Sequence, residues 1–168
     1  ERGRRNEPEM RSLLVADEDA WYRERVRQAF EGECRVLEAS DGESALDRIR
    51  SLGSGGLSAL VLSMTLSENG ASAVLTTLRQ EPVYWKLPVL ATVPGGEKME
   101  ELPLAMETDD FLCKCHPMFD LRRRVQRLVE IATAQERERA LKDEANRDPL
   151  TGLLNRRGLQ AAMASLRA

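Results

Sequence analysis

Residues 59–70 read Ala-Leu-Val-Leu-Ser-Met-Thr-Leu-Ser-Glu-Asn-Gly, an apolar run that stops at a small polar residue and then reaches a turn. This pattern predicts a buried strand whose carboxyl end opens into a loop. In an open parallel α/β sheet, ligands and chemistry are found at that end of the strands. Ser63 therefore stands where a functional side chain is expected.

Two other apolar stretches end in charged residues. Residues 13–16 form a second predicted strand, followed by the acids Asp17 and Glu18, and residues 110–114 form a third, which ends in Lys114. If these strands are parallel neighbours, carboxylates, a hydroxyl and an ammonium group converge on one edge of the sheet.

These strand ends resemble the receiver domain of bacterial two-component response regulators. In that family an acidic pair after the first strand binds magnesium, an aspartate after the third accepts a phosphoryl group, and a lysine after the fifth contacts it. Asp17 and Glu18 match the acidic pair, and Lys114 matches the lysine. Ser63 stands where the resemblance places the phosphoaccepting aspartate. The segment 38–46, Glu-Ala-Ser-Asp-Gly-Glu-Ser-Ala-Leu, is also similar to receivers.

Amphipathic helices and apolar strands alternate along the chain up to Lys114. The predicted helices span residues 20–30, 44–51, 71–79 and 97–106, and the two further predicted strands span residues 34–39 and 87–93. We therefore expect a doubly wound α/β fold of the flavodoxin-like kind, with a parallel sheet of about five strands, as the resemblance to receivers implies.

The fourth predicted strand carries a candidate switch hydroxyl. Receivers place a threonine or serine near the end of this strand, where its hydroxyl follows the phosphoryl group. Counting from Pro88, that position falls on Val93, and Thr92 lies one place early. A shift of one residue turns a strand side chain to the other face of the sheet, so the position of Thr92 departs from the family pattern.

A long signalling helix is predicted from Met118, because no glycine or proline interrupts the chain before Pro149. Its first half carries apolar residues at spacings that suit packing on a sheet and a coiled-coil seam equally, namely Leu121, Val125, Leu128 and Ala132. Residues 135–147 are highly charged, which is typical of a helix that leaves the domain.

Residues 148–157 read Asp-Pro-Leu-Thr-Gly-Leu-Leu-Asn-Arg-Arg and resemble the opening signature of GGDEF domains, the diguanylate cyclases that join two GTP molecules into cyclic di-GMP. The residues that match are Asp148, Leu150, Thr151, Gly152, Leu153, Asn155, Arg156 and Arg157. The resemblance implies a parent protein that uses GTP and Mg²⁺. Residues 95–99 lie upstream of this signature and lack the second acid and the aromatic of the GGDEF loop, so we expect no catalysis from these 168 residues.

The sequence predicts four segments. Residues 1–10 are expected to be a disordered lead-in or a remnant of cloning, 11–133 a receiver-like domain, 134–147 a helical linker that continues the last receiver helix, and 148–168 the truncated start of a GGDEF domain. The length of 168 residues suits one domain of ordinary size plus a short addition.

Phosphoryl transfer to a receiver needs a carboxylate nucleophile beside a hard cation. Serine is a poor nucleophile without an adjacent base, and it removes one anionic oxygen from the metal site, so we expect no acyl phosphate at Ser63 and only weak Mg²⁺ binding at Asp17 and Glu18. In the alternative interpretation, the hydroxyl of Ser63 forms hydrogen bonds with nearby backbone groups, and Asp17 and Glu18 belong to a solvated loop and a helix N-cap. A salt bridge from Lys114 to Asp17 would replace the missing metal.

Composition excludes several classes of protein. The chain is 42% hydrophobic and 32% charged, holds no apolar run near 18 residues and shows no signal-peptide pattern, which predicts a cytoplasmic protein without a membrane partner. A net charge of −3 provides no electrostatic footprint for nucleic acid. The basic cluster of residues 122–127 is expected to be a solvated helix face.

The three cysteines are an odd number in a chain without export signals, which favours reduced thiols over a disulfide framework. Cys113 and Cys115 share one face of the predicted strand and precede His116, which suggests a metal site. A zinc site needs four ligands, however, and the one further cysteine is Cys34, so core cysteines with a loop histidine are favoured.

These patterns together predict a regulatory pseudo-receiver that serves as a dimerisation module of a response-regulator-type diguanylate cyclase. The expected partners are a second copy of the chain and a regulatory protein or histidine kinase. The alternative is a protein-docking receiver whose parent has a degenerate GGDEF domain and acts as an effector that binds cyclic di-GMP.

Overall fold

The computed structural model describes residues 11–67, 69–95 and 107–167. Five strands and five helices are assigned in this part of the chain. In chain order they are β1 (Ser12–Ala16), α1 (Ala20–Ala29), β2 (Arg35–Ala39), α2 (Gly42–Leu52), β3 (Ala59–Ser63), α3 (Gly70–Gln80), β4 (Val89–Val93), β5 (Asp110–Cys113), α4 (Met118–Ala145) and α5 (Arg156–Ser165).

The five strands form one parallel sheet in the order β2-β1-β3-β4-β5. Every residue of β1, β3 and β4 is buried, which explains why these strands read as continuous apolar runs rather than alternating ones. The doubly wound, flavodoxin-like α/β fold expected from the sequence is confirmed. The strand that ends at Ser63, β3, is the central strand of the sheet.

Two hydrophobic cores cover the two faces of the sheet. On one face α2 and α3 pack over alternate strand residues that include Leu14, Leu62 and Val93. On the other face α1 and the first half of α4 pack over the intervening residues, which include Val15 and Val61. Successive strand residues point to opposite faces, so each position of the sheet can be assigned to one core or the other.

Side-chain caps fix where the first two helices begin. Asp19 caps α1, because its carboxylate accepts hydrogen bonds from the backbone N–H groups of Trp21 (2.9 Å) and Tyr22 (3.3 Å). Asp41 caps α2 and accepts from the N–H of Ser44 at 2.7 Å. Because the cap lies at Asp41, α2 begins two residues before the predicted start at Ser44.

The amino termini of α2 and α3 meet at two glycines. A Cβ atom added to Gly42 would lie 2.8 Å from the Cα of Gly70, which no ordinary packing contact permits. Glycine is therefore required here by the close approach of two backbones rather than by an unusual dihedral angle.

The chain divides into two compact units, 1–132 and 133–168. In the first unit, Leu121, Val125 and Val129 of α4 are buried against the sheet. The helix ends at Ala145 rather than continuing to residue 147 as predicted, because Arg147 leaves it to form an isolated antiparallel bridge with Leu154. The predicted lead-in at 1–10 and the predicted helix at 97–106 lie outside the described residues.

Among the described helices, none has the length and apolar character needed to cross a membrane.

Candidate functional site

The polar residues identified from the sequence meet at the carboxyl edge of the sheet. Ala16 of β1 pairs with Leu62 of β3, so Asp17 and Ser63 occupy the next step of neighbouring strands. Ser63 in turn pairs with Thr92 of β4. Alternation along each strand places these side chains, with that of Lys114, on the sheet face covered by α1 and α4.

An ion pair joins the two outer members of this group. The ammonium Nζ of Lys114 lies 2.5 Å from Oδ2 of Asp17, and the Asp17 side chain is 1% exposed. The contact is not aligned as a hydrogen bond, so its attraction is mainly Coulombic. Because β3 and β4 lie between β1 and β5, the lysine side chain extends over the ends of those strands, where Ser63 is found.

The ring of Tyr22 forms one wall of the lysine site. Nζ of Lys114 lies 4.7 Å from the ring centroid, within the range of a cation–π contact. Tyr22 is buried in the core between the sheet and α1. Burial raises the pKa of the Tyr22 hydroxyl far above its ordinary value, and the carboxylate of Asp17 adds to this increase. The lysine is therefore held between a carboxylate and an aromatic face.

Hydrogen bonds from the backbone and from Arg23 organise the loop after β1. Oδ1 of Asp17 accepts from the backbone N–H of Asp19 at 3.0 Å. Arg23 donates through Nη1 to the carbonyl oxygens of Asp17 (2.7 Å) and Glu18 (3.2 Å), and its Nε lies 3.3 Å from Oε1 of Glu38. The role of Arg23 could not be predicted from the sequence, because one arginine on an amphipathic helix does not indicate which groups it will contact.

Ser63 is buried, and its hydroxyl lies 3.1 Å from the hydroxyl of Thr65. The hydrogen-bond partner of Ser63 is thus the side chain of Thr65, two residues along the chain, and not the backbone group that the alternative interpretation predicts. The Ser63 hydroxyl is therefore hydrogen-bonded within its own loop. Among the described residues, no histidine or carboxylate hydrogen-bonds to Ser63 to act as the adjacent base that nucleophilic serine requires.

Thr92 and Val93 differ in the face that they occupy. Leu90 packs in the core under α1 and α4, whereas Ala91 and Val93 pack in the core under α2 and α3. Thr92 therefore shares the face of Ser63, and Val93 takes the opposite face. The Thr92 hydroxyl is fully buried, and Oγ1 has no hydrogen-bond partner within the described part of the chain.

The acidic pair does not form a site that suits Mg²⁺. A magnesium ion needs carboxylate oxygens that are free to coordinate, but Oδ2 of Asp17 faces an ammonium group and Glu18 is exposed in the loop. Ser63 contributes a neutral hydroxyl that already contacts Thr65. No three metal-binding side chains come together in residues 11–67, 69–95 and 107–167.

A disulfide joins Cys113 and Cys115, with a Cα–Cα distance of 5.2 Å. This corrects the expectation of reduced thiols for these two residues. The sulfurs do not converge because positions 113 and 115 share a strand face, as the sequence suggested. β5 ends at Cys113, and the chain then turns, with the N–H of His116 donating to the carbonyl of Cys113 at 3.0 Å, which brings Cys115 back to Cys113. Cys34 is a free thiol, and partial burial raises its pKa above the ordinary value. His116 lies 3.4 Å from the carboxylate of Asp120, one turn along the chain.

The GGDEF-like signature folds into a closed loop around Asp148. Oδ1 of Asp148 accepts from the backbone N–H groups of Leu150 (3.0 Å) and Thr151 (2.8 Å) and from the Thr151 hydroxyl (3.1 Å). These donors lower the pKa of the carboxyl below its usual range. Gly152 adopts a φ of 71°, and its N–H donates to the carbonyl of Asp148 at 2.9 Å. The turn therefore requires both the acid and the glycine.

Asn155 connects this loop to the helices on both sides. Its Oδ1 caps α5 by accepting from the N–H of Gly158 at 2.9 Å, and its Nδ2 donates to the carbonyl of Ala145 at 2.7 Å. Gly158 is packed so closely that an added Cβ would lie 2.3 Å from the carbonyl oxygen of Asn146. Several signature residues are thus explained by local folding alone.

The remaining signature side chains point away from the loop. Leu150 is 94% exposed and Leu153 is 69% exposed. Arg156 and Arg157 are also exposed, at the start of α5. Some residues of the signature therefore form the loop itself, and the side chains of others are exposed to solvent.

Solved structures similar to this chain include proteins described as response regulators and as receiver domains. A putative response regulator from Chloroflexus aurantiacus J-10-fl is 24% identical with a TM-score of 0.63, and the match covers 71% of this chain and 97% of that chain. NtrX from Brucella abortus, solved in complex with ADP, is 20% identical with a TM-score of 0.69, and the match covers 82% of this chain and 30% of that chain. This chain has the receiver fold.

A third similar structure is described as a response regulator receiver modulated diguanylate cyclase from Pelobacter carbinolicus. It is 16% identical with a TM-score of 0.62, and the match covers 76% of this chain and 98% of that chain. At these levels of identity the likeness establishes the fold. No protein family model matches the chain, and no curated protein matches it either.

Proposed function

We propose that this chain is a regulatory pseudo-receiver, a module that keeps the receiver fold but does not accept a phosphoryl group at the usual position. The observation that carries the proposal is the Lys114–Asp17 ion pair, at 2.5 Å, beside a serine in place of the acceptor. The ammonium group of Lys114 faces Oδ2 of Asp17, an oxygen that a bound Mg²⁺ would need, and it balances the charge of this buried carboxylate.

The signature at residues 148–157 supports a parent protein of the diguanylate cyclase type. Its residues match the opening phrase of GGDEF domains, and one structure similar to this chain is named as a receiver modulated diguanylate cyclase. In such a parent, two cyclase subunits must face each other to join two GTP molecules. We propose that the pseudo-receiver promotes this arrangement as a phosphorylation-independent homodimer, or through a regulatory protein that docks on it.

The test is the oligomeric state of the chain by sedimentation equilibrium, with and without Mg²⁺ and beryllofluoride, which imitates the phosphoryl group. The proposal predicts a dimer whose dissociation constant is the same under both conditions. A monomer that dimerises only when both reagents are present would show that a working acceptor site exists and would contradict the proposal.

The variant Lys114→Met provides a matched comparison, because it removes the internal cation and leaves Asp17 in place. The proposal predicts that this variant binds Mg²⁺ more tightly than the wild-type chain, as measured by isothermal titration calorimetry. Equal affinity in the two proteins would show that the ion pair does not keep the metal out.

A further inference from the structure

We propose that Cys113 and Cys115 form a reversible thiol–disulfide site that controls how firmly Lys114 is held on Asp17. The disulfide closes a ring of three residues, and the central residue of that ring is the lysine of the ion pair. The inference goes beyond the proposed function, because it supplies the domain with an input that needs no acceptor carboxylate.

The two sulfurs differ in their access to solvent. Cys115 is exposed, whereas Cys113 is half-buried and packs at the margin of the core under α2 and α3. A small thiol can therefore approach the sulfur of Cys115 from solvent. Exposed disulfides of this kind are the ones that exchange readily with thiol reductants, whereas buried structural disulfides resist them.

The reaction is a two-electron exchange with a dithiol reductant. A thiolate of the reductant attacks Sγ of Cys115, the S–S bond breaks, and Sγ of Cys113 leaves as a thiolate that takes up a proton. The second thiol of the reductant then attacks the mixed disulfide and releases Cys115 as a thiol. The protein gains two thiols, and the reductant becomes a disulfide.

The backbone around Lys114 explains how the two sites are linked. The N–H of Lys114 donates to the carbonyl of Val93 at 2.7 Å, and the N–H of His116 donates to the carbonyl of Cys113 at 3.0 Å. The N–H of Cys115 donates to Sγ of Cys113 at 3.1 Å. Opening the ring frees the backbone on the carboxyl side of Lys114, and this added freedom opposes the fixed position of its ammonium group.

The first experiment counts thiols in the full chain. The protein is equilibrated with dithiothreitol or with oxidised glutathione, alkylated and measured by intact mass, and a Cys34→Ser variant removes the free thiol from the count. We expect the Cys34→Ser chain to take up two alkyl groups after reduction and none after oxidation. Two alkyl groups under both conditions would overturn the proposal, because no disulfide would have formed.

The second experiment measures the link between the disulfide and the ion pair by amide hydrogen exchange and mass spectrometry. We expect reduction to accelerate exchange several-fold in residues 110–118 and also in residues 17–22, where the N–H of Asp19 depends on Asp17. In a Lys114→Met variant, reduction should affect residues 110–118 alone. The loop at 148–158 serves as an internal reference.

Two results would contradict the link. If reduction changes exchange in residues 110–118 but leaves residues 17–22 unchanged in the wild-type chain, the disulfide does not control the ion pair. If residues 17–22 respond equally in the Lys114→Met variant, the effect does not travel through the lysine. Neither result depends on the oligomeric state, so this inference can fail while the proposed function stands.

Discussion

The ion pair between the buried carboxylate of Asp17 and Lys114 is expected to stabilise the candidate site. Replacing Lys114 by Met leaves Asp17 buried and without its cation, and removing one partner of a buried pair is strongly destabilising. Because the lysine side chain is 18% exposed, we expect a smaller loss than for a fully buried pair, roughly 2–3 kcal/mol of unfolding free energy in urea denaturation.

A double-mutant cycle separates the pair from other effects of the substitution. Asp17→Asn combined with Lys114→Met should recover part of the stability that Lys114→Met loses, because no unpaired charge remains buried. Lys142→Met is the matched control, since its pair with Glu138 is solvent-exposed, and it should change stability little. Additive losses in the cycle would mean that the Lys114–Asp17 contact contributes no coupling energy.

Tyr22 should give the domain a specific sensitivity to alkaline pH. Its folded-state pKa is raised above the unfolded value near 10.0, so the folded state favours the protonated hydroxyl. The stability from this group is fully present below pH 10 and is lost as the pH rises further. The wild-type chain should therefore lose stability relative to Tyr22→Phe above pH 10, as measured by urea denaturation at several pH values. Parallel curves for the two proteins would contradict this.

The sequence predicted which individual residues lie at the carboxyl edge of the sheet, and it predicted that Lys114 could pair with Asp17. It did so because each residue directly follows an apolar strand in a parallel fold. The contacts of Arg23 and the position of Tyr22 beneath the lysine were not predicted. They depend on how far α1 lies from the sheet, and that distance is not encoded in any local pattern.

Among the elements, α5 carries a glycine whose replacement should have the opposite effect from the usual one. Alanine normally stabilises a helix relative to glycine. In Gly158→Ala, however, the new Cβ would meet the carbonyl oxygen of Asn146 at 2.3 Å. We expect lower thermal stability and faster amide exchange in residues 146–158. Ala162→Gly, one turn further along the same helix, is the control for helix propensity alone. A more stable Gly158→Ala protein would show that the loop does not pack on α5 as described.

The start of the long helix at Met118 was predicted from the sequence, whereas its end was not, because contacts with the loop that follows set that end. The long helix was expected to reach residue 147, since nothing in its sequence stops it before Pro149. It ends at Ala145 because the signature loop supplies competing partners, including the bridge between Arg147 and Leu154. Such partners lie several residues downstream and become visible only when the loop is folded.

For the whole molecule, we expect that one substitution restores the acceptor carboxylate that receivers carry after the third strand. Ser63→Asp would place a carboxylate on the same face and at the same register step as Asp17. The added negative charge should draw in Mg²⁺ in competition with Lys114. We expect measurable Mg²⁺ binding by isothermal titration calorimetry, with an affinity at least tenfold above that of the wild-type chain. Ser63→Asn, which is similar in size but neutral, should show no such gain.

Whether Ser63 accepts a phosphoryl group is tested most directly by incubating the full chain with acetyl phosphate and Mg²⁺ and measuring its intact mass. We expect no gain in mass for the wild-type chain, because Ser63 lacks a carboxylate and Asp17 is paired with Lys114. The Ser63→Asp variant should gain the mass of one phosphoryl group. A wild-type chain that gains this mass and loses it in a Ser63→Ala variant would contradict the account, because Ser63 would then be a working acceptor.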